Sequence, residues 1–380
     1  MSARRPRDYF RSNSALSDWL SAASPASRAA IVSEDLGRSR RLSLLHEIIG
    51  LPILDTSHFA GAQVIDNANA FREFHETARG PYAVRAVHSD NREDVLRNRN
   101  LPVDDLLRWL RGKVADIRRY DLEFSPHVTN EWAASFVVTK SGIIAEVVRG
   151  SLRQLTQGEH ISSGPVRIVH NFTEWSAEPT DDRALELAKL AISYTSVESP
   201  KNRNQLREEL GCNFAHETYI RGYFEAIFSS ADEIRFNDFN MSIGASLEES
   251  YVELIRGQHG AVLGELRGVT ASRGHVSGPA YVLAPDEDAP TKLPVGQILV
   301  CGEPTPDLIP ILAQVSGVVM ERGGLLTHAS VVCRELKIPC LVGTTNATEV
   351  IPDGAIIDLD ADAGVVWITE RPGGSPDASV

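Results

Sequence analysis

The chain has 380 residues, a net charge of −13, 42% hydrophobic and 23% charged residues, an ordinary globular composition too long for one core and sized for two or three domains. The acidic balance disfavours a general nucleic-acid binder, which would be basic, and works against docking on anionic membranes. The four cysteines, Cys212, Cys301, Cys333 and Cys340, form no CxxC pair and are too sparse for a disulfide scaffold, so they read as reduced thiols of a cytoplasmic protein. No stretch is long and apolar enough to span a membrane, and the basic N-terminus has no apolar segment behind it.

Residues 1–29 read as a partly disordered N-terminal segment. Helical character runs over 14–50, where "SRRLSLLHEIIG" has an apolar face and a terminal Gly50. From Tyr82 the texture turns β-branched: "YAVRAV", "EWAASFVVT" and "GIIAEVVRG" are strand-like and bounded by turn residues. Residues 181–220 are polar and read as helical. "GYFEAIFSSADEIRFNDFNMSIG" reads as strand, tight turn, strand. A charged helical link is expected over 246–267. A second unit, 268–370, opens with "GVTASRGHVSGPAYVLAP". It continues with short buried strands at "QILVC" and "GVVME" around a helix at "TPDLIPILAQ", then a helix at "HASVVCREL", a strand at "PCLVG" and a hairpin at "AIIDLDADAGVVWI". Asp358, Asp360 and Asp362 suit that hairpin's turn better than a calcium loop, whose glycine and twelfth-position Glu are misplaced or missing. The tail 371–380 reads as disordered. The fold class is α/β (α+β).

Thr327 is a good N-cap residue, which places His328 in a first helical turn. There the helix dipole and free amides favour a neutral imidazole, a nucleophile, and would receive an anion attached to it. Gly323 and Gly324 let backbone approach closely. An early helix residue with a surface hydrogen bond accounts for a lone histidine more simply, and composition and spacing alone favour that reading. In the 222–240 hairpin, Glu225 lies beside a strand carrying Asp238 and Asn240 on one face. Three oxygen donors on one sheet face suit Mg²⁺; a hairpin with solvent-facing polar residues fits the same pattern.

"GGLLTHASVVCRELKIPCLVG" resembles the phosphohistidine signature of phosphoenolpyruvate-utilising phosphotransferases, which include phosphoenolpyruvate synthase, pyruvate phosphate dikinase and rifampicin phosphotransferase. Arg334, Glu335, Ile338, Pro339 and Gly343 fall where that pattern has Arg-Glu and its Ile-Pro ending. "GVTASRGHVSGPA" and "TPDLIPIL" resemble the domain opening and a Thr-Pro-Asp helix start. The resemblance covers Gly268 to Ile368. It implies a swivelling β/β/α domain in which His328, served by Thr327, Gly323 and Gly324, carries phosphate between two sites.

The 13 positions from Glu225 to Asp238 (238 − 225), and the acid-x-Asn that follows, resemble the ATP-grasp fold. The implied metal ligands are Glu225, Asp238 and Asn240, within an ATP-grasp-like domain at 30–245. "YAVRAVHSDNRED" resembles the same family's phosphate-binding segment and makes Arg85 a phosphate ligand. Ala86 and Val87 replace its usual Ser-Ser, and Glu93-Asp94 falls one residue late. No glycine-rich lysine loop is evident; "LGRSRRLSLLHEIIGLPI" offers Arg38, Arg40 or Arg41 instead. Glu131 and Glu146 lie on strands that either border an adenine or ribose pocket or simply face solvent. The resemblance implies use of ATP and Mg²⁺, with the β-phosphoryl of ATP passing through His328 to an acceptor and AMP and phosphate released. No pyruvate barrel and no large acceptor domain is recognisable. The expected acceptor is therefore a small molecule, such as an amide or amino compound. Two alternatives remain: a phosphocarrier subunit that hands phosphate to a partner protein, and an ATP-grasp ligase in which His328 is incidental.

Overall fold

In the computed structural model the described residues are 25–90, 95–157, 165–229, 233–245, 265–284, 287, 289–290, 292–303 and 308–372, with 25–36, 265 and 309–310 described by backbone alone. The two termini, Glu93-Asp94, His160, Thr305 to Asp307 and most of the expected 246–267 link lie outside them. The chain forms two compact units. The described part of the smaller runs from Pro52 to Thr129, and the larger holds the segment ending at Leu51 and everything from Asn130 onward.

In the smaller unit, β1 (Ser57–Ala60), β2 (Tyr82–His88), β3 (Val95–Leu101) and β4 (Tyr120–Pro126) form an antiparallel sheet in the order β1-β4-β2-β3. The helix Val103–Arg111 buries Val103, Leu106, Leu107 and Leu110. That i, i+3, i+4, i+7 spacing makes one apolar stripe. The stripe shares a core with Phe59, Phe71 and Phe124.

The larger unit has two main sheets. The first contains β5 (Trp132–Thr139), β6 (Gly142–Arg149), β7 (Val166–His170) and β8 (Trp175–Glu178). After a two-stranded ribbon of β9 (Phe214–Ala215) and β10 (Tyr219–Ile220), β11 (Gly222–Phe228) and β12 (Ile234–Asn240) complete it in the antiparallel order β12-β11-β5-β6-β7-β8. Its two faces differ, because side chains alternate along each strand. One face carries Phe136, Phe224, Phe236 and Phe239, all fully buried. The helix Asp182–Ser193 packs on this sheet through Ala184, Leu187, Ala188 and Ala191. The helical expectation for 181–220 holds over Asp182–Ser193 and Pro200–Leu210. It ends at Gly211, whose left-handed φ of 70° closes the second helix; the residues beyond supply β9 and β10. The arginine-rich stretch proposed as a counterpart of the lysine loop is no loop: it lies within the helix Pro25–Ile49. There the Arg41 Nε donates to the Phe239 carbonyl at 3.0 Å.

The second sheet comprises β13 (Glu265–Arg267), β14 (Val269–Ser272), β15 (His275–Leu283), β16 (Ile298–Cys301), β17 (Gly317–Met320), β18 (Cys340–Val342), β19 (Ile356–Asp360) and β20 (Val365–Glu370). The order is β13-β20-β19-β15-β16-β17-β18-β14, with β15 to β18 mutually parallel. Parallel neighbours require crossovers, and the helix His328–Glu335 supplies the one between β17 and β18. The short buried strands read as continuous apolar runs because both faces are covered. Leu299, Cys301, Val318 and Met320 join the cluster containing that helix, while Ile298, Val300 and Val319 join Ala347, Ile351 and Ala355.

The aromatic face of the first sheet generates a stability prediction. Phe224 stacks on Phe136 at 5.1 Å and on Phe239 at 4.7 Å between ring centroids. Phe224→Ala is expected to destabilise the larger unit by about 3–5 kcal/mol, read as a lower denaturant midpoint with an unchanged m-value.

Candidate active site: a histidine loop against a carboxylate-bearing sheet

The loop from β17 to the helix His328–Glu335 is fixed largely by its own hydrogen bonds. Gly323 turns the chain with φ 118°, a conformation that L side chains rarely adopt. Thr327 is the N-cap, its Oγ1 accepting from the Ser330 amide at 3.3 Å. The Ser330 hydroxyl donates to the Gly324 carbonyl at 2.7 Å. Arg334, on the same helix, donates to the carbonyls of Leu325 and Ala271, each at 2.7 Å. Burial lowers the Arg334 pKa to about 10, which leaves it charged at neutral pH. His328 is the first helical residue and is half-buried. Its ring therefore sits where the unsatisfied amides of the first turn concentrate positive potential.

The six-stranded sheet contributes a lateral row. Strand register pairs Asp238 with Glu225, Glu225 with Ser135, Ser135 with Glu146 and Glu146 with Arg167. Directly paired residues share a face, so two of the three expected metal ligands and Glu146 project from one side. Two residues along, the next row runs Asn240, Tyr223, Val137, Ile144 and Val169. Tyr223, Val137 and Ile144 belong to the same buried cluster as Leu325, Leu326 and Ala329. The carboxylate-bearing face is thus the face against which the histidine loop packs.

Within that contact one carboxyl group is exposed to almost no water. Glu146 keeps 2% of its surface exposed. Its carboxylate accepts the Leu325 amide at 2.7 Å and the Leu326 amide at 3.2 Å. Burial raises its pKa, opposed by these two hydrogen bonds and by the charges of Arg167 and Arg334. A Cβ added to Gly324 would lie 2.3 Å from Glu146 Oε2, and the next two nearest atoms also belong to Glu146.

The Tyr223 hydroxyl donates to Glu225 at 2.8 Å. Burial pushes its pKa far up, and the negative charges of Glu225, Asp238 and Glu146 add to that. Tyr223 thus stands among three carboxylates, a role that its place in an apolar run did not signal. The Asn240 Oδ1 accepts the Ile243 amide at 3.0 Å, capping the turn that follows β12. Asn240 therefore adjoins the two carboxylates with one of its oxygen lone pairs engaged. Among the described residues no three His, Cys, Asp or Glu side chains are grouped to hold a metal.

Arg85 belongs to the smaller unit, where its NH1 is 3.2 Å from Glu123 Oε2 and 3.3 Å from Oε1. Glu131 precedes β5 and is exposed; its backbone amide donates to the Phe228 carbonyl at 2.9 Å. It is four positions from Ser135 along the strand direction, about 13 Å at 3.3 Å per residue.

Residues 293–364 match the family model described as PEP-utilising enzyme, mobile domain. The C-terminal part of the chain is such a mobile domain. It is 38% identical over 102 residues to a probable phosphoenolpyruvate synthase of Methanothermobacter thermautotrophicus, covering 27% of this chain and 15% of that protein. A phosphoenolpyruvate synthase of Aeropyrum pernix is 40% identical over 102 residues, covering 27% and 12%. An uncharacterized phosphotransferase, YvkC, of Bacillus subtilis is 33% identical over 104 residues, again covering 27% and 12%. The chain thus spans only a small part of the length of these relatives. Among solved structures, the ATP-grasp ligase PsnB complexed with minimal precursor shares 12% identity over 56% of this chain and 54% of that one, with a TM-score of 0.28. D-cycloserine synthetase DcsG shares 15% identity over 57% and 64%, with a TM-score of 0.29.

The mobile domain's histidine helix is held at its start by one side chain. Thr327 is fully buried, and its Oγ1 caps the Ser330 amide. Thr327→Ala is expected to destabilise the mobile domain by about 1–2 kcal/mol, and Thr327→Ser to restore most of that loss, both read by chemical denaturation.

Proposed function

We propose that the chain is an ATP-dependent phosphotransferase in which His328 is the transient phosphate carrier. The observation that carries this reading is the position of His328: at the start of a capped helix, on a loop pressed against the sheet face that bears Glu225 and Asp238. The donor set suits Mg²⁺ with a nucleotide polyphosphate. Glu225 and Asp238 are hard oxygen donors on adjacent strands, Asn240 lies one row away, and the buried side-chain oxygens of Ser135 and Asn237 lack a hydrogen-bond partner within the protein.

When bound, the metal supplies positive charge to the phosphate oxygens. The chain's own residues do the rest. Glu225 and Asp238 would hold the cation, and Tyr223 fixes the orientation of the Glu225 carboxylate through its hydroxyl. A neutral His328 directs a ring nitrogen lone pair at the β-phosphorus, the bond to the AMP oxygen breaks, and AMP leaves with that electron pair. Hydrolysis then removes the terminal phosphate, leaving one phosphoryl on the ring. The first-turn amides of the helix receive its negative charge. The phosphoryl finally passes to an acceptor, proposed to be a small molecule. Arg85 is given no step, because Glu123 holds its guanidinium.

ATP labelled at the β-phosphate tests the first half-reaction. Wild-type protein is expected to acquire acid-labile, alkali-stable label and to release AMP, and His328→Ala to acquire none. Glu225→Gln and Asp238→Asn should each slow labelling by about 10²-fold. Release of ADP with full turnover in His328→Ala would refute the carrier reading in favour of a ligase.

A further inference from the structure

The sheet and the mobile domain meet through a contact between Glu146, a candidate for the adenine or ribose pocket, and the Gly-Gly-Leu-Leu loop of the histidine signature. Glu146 is a carboxylate on the sheet face, two strands from Glu225, which at about 4.8 Å per strand places their backbones about 10 Å apart. Both its oxygens are engaged by consecutive backbone amides, those of Leu325 and Leu326. On the other side of the same peptide, Arg334 holds the Leu325 carbonyl at 2.7 Å. The loop is thereby gripped from the sheet through its donors and from its own helix through an acceptor. A carboxylate this deeply buried needs those donors, since an uncompensated buried charge is strongly unfavourable.

Gly324 carries the second, independent observation. Gly324 is not among the residues with a left-handed backbone, unlike Gly323 at φ 118°. The loop's own conformation therefore does not demand glycine there. What demands it is the neighbour: the three atoms nearest an added Cβ are Oε2, Oε1 and Cδ of Glu146, at 2.3, 2.5 and 2.6 Å. While the loop is seated, an added methyl group would require the Glu146 carboxylate to shift off the two amides.

We infer that Glu146 is the docking residue of this protein, a positioning group that seats the mobile domain by accepting the Leu325 and Leu326 amides, with Gly324 as the clearance that lets it approach. This assigns Glu146 to the domain contact rather than to adenine or ribose. Its bearing on catalysis rests on the phosphate-carrier reading above; the contact itself does not.

Amide hydrogen exchange in the full chain, without nucleotide, tests the contact. Glu146→Ala should accelerate exchange at Leu325 and Leu326 at least tenfold while Val331 and Leu336, inside or at the end of the helix, keep the wild-type rate. Gly324→Ala should produce the same acceleration alone, and should add less than twofold when residue 146 is already alanine. Unchanged exchange at both amides in Glu146→Ala overturns the inference. So does an equal effect of Gly324→Ala in both backgrounds, which would place the need for glycine within the loop itself. Glu146→Gln, which keeps the side chain's volume and one acceptor oxygen, guards against general misfolding: exchange intermediate between wild type and Glu146→Ala is expected, and wild-type exchange overturns the role of the carboxylate. Where labelling of His328 by ATP is observed, Glu146→Ala should lower its rate about tenfold and leave the half-saturating ATP concentration within twofold. A raised half-saturating concentration with an unchanged maximal rate would return Glu146 to the nucleotide. Because exchange is read without ATP, failure of the docking contact and failure of the carrier reading are separate results.

Discussion

A buried carboxylate is the constraint around which the larger unit is arranged. Glu146 has lost nearly all its water, and the hydration it forfeited must be replaced by donors of fixed geometry. Two consecutive amides can point at one carboxylate only if the peptide between them is correctly oriented. That orientation comes from the turn at Gly323, the cap at Thr327 and the Arg334 bond to the Leu325 carbonyl. The helix start that presents His328 and the loop that meets Glu146 are therefore one object: the hydrogen bonds that complete the cap also aim the amides.

The antiparallel register of the first sheet then acts as a ruler. A slip by one residue would turn every side chain to the opposite face. Asp238, Glu225, Ser135 and Glu146 would then meet the space now filled by Phe136, Phe224 and Phe236, and the aromatic rings would face the mobile domain. The stacked phenylalanines do more than stabilise the sheet: by committing one face to the core they hold the acidic row on the other. The irregularity in β11–β12 pairing between Glu225 and Ala226 falls beside the two carboxylates. Bulges of this kind re-aim side chains near sites.

How much of this could be read in the sequence depends on how local each feature is. The histidine loop was legible because its glycines, cap and histidine lie within a few consecutive residues and its capping hydrogen bonds stay inside that window. The β11–β12 hairpin was legible for the same reason. The docking contact was not, since Glu146 and Leu325 are 179 positions apart. A Glu in an otherwise apolar strand has the same local signature whether it meets solvent, nucleotide or backbone. β3 escaped notice because "VLRNRNL" is an edge strand, half-buried along most of its length, with arginines where an inner strand would alternate. β4 has the alternation, with Tyr120, Leu122 and Phe124 buried. Its core partner Phe59, however, is supplied from far upstream. Asn240 shows the opposite limit: its spacing from Asp238 was correctly read as sharing a face, yet spacing could not reveal that its Oδ1 caps a turn.

On the phosphate-carrier reading the domain must also leave its seat, and the chemistry of the contact allows that. Two hydrogen bonds to a charged acceptor contribute roughly 3–6 kcal/mol together. Removing the carboxylate from water costs several kcal/mol in return. The two terms nearly cancel, so Glu146 sets where the loop sits far more than how tightly it is held. An apolar residue of equal volume at position 146 would bury more favourably, but any loop surface could slide across it. The carboxylate accepts only a pair of amides in one orientation, and on departure water replaces them at little net cost. Specific but weak seating is what a shuttling histidine would require, and a carboxylate reading backbone donors would provide it without enlarging the apolar area that the domain would have to expose on leaving.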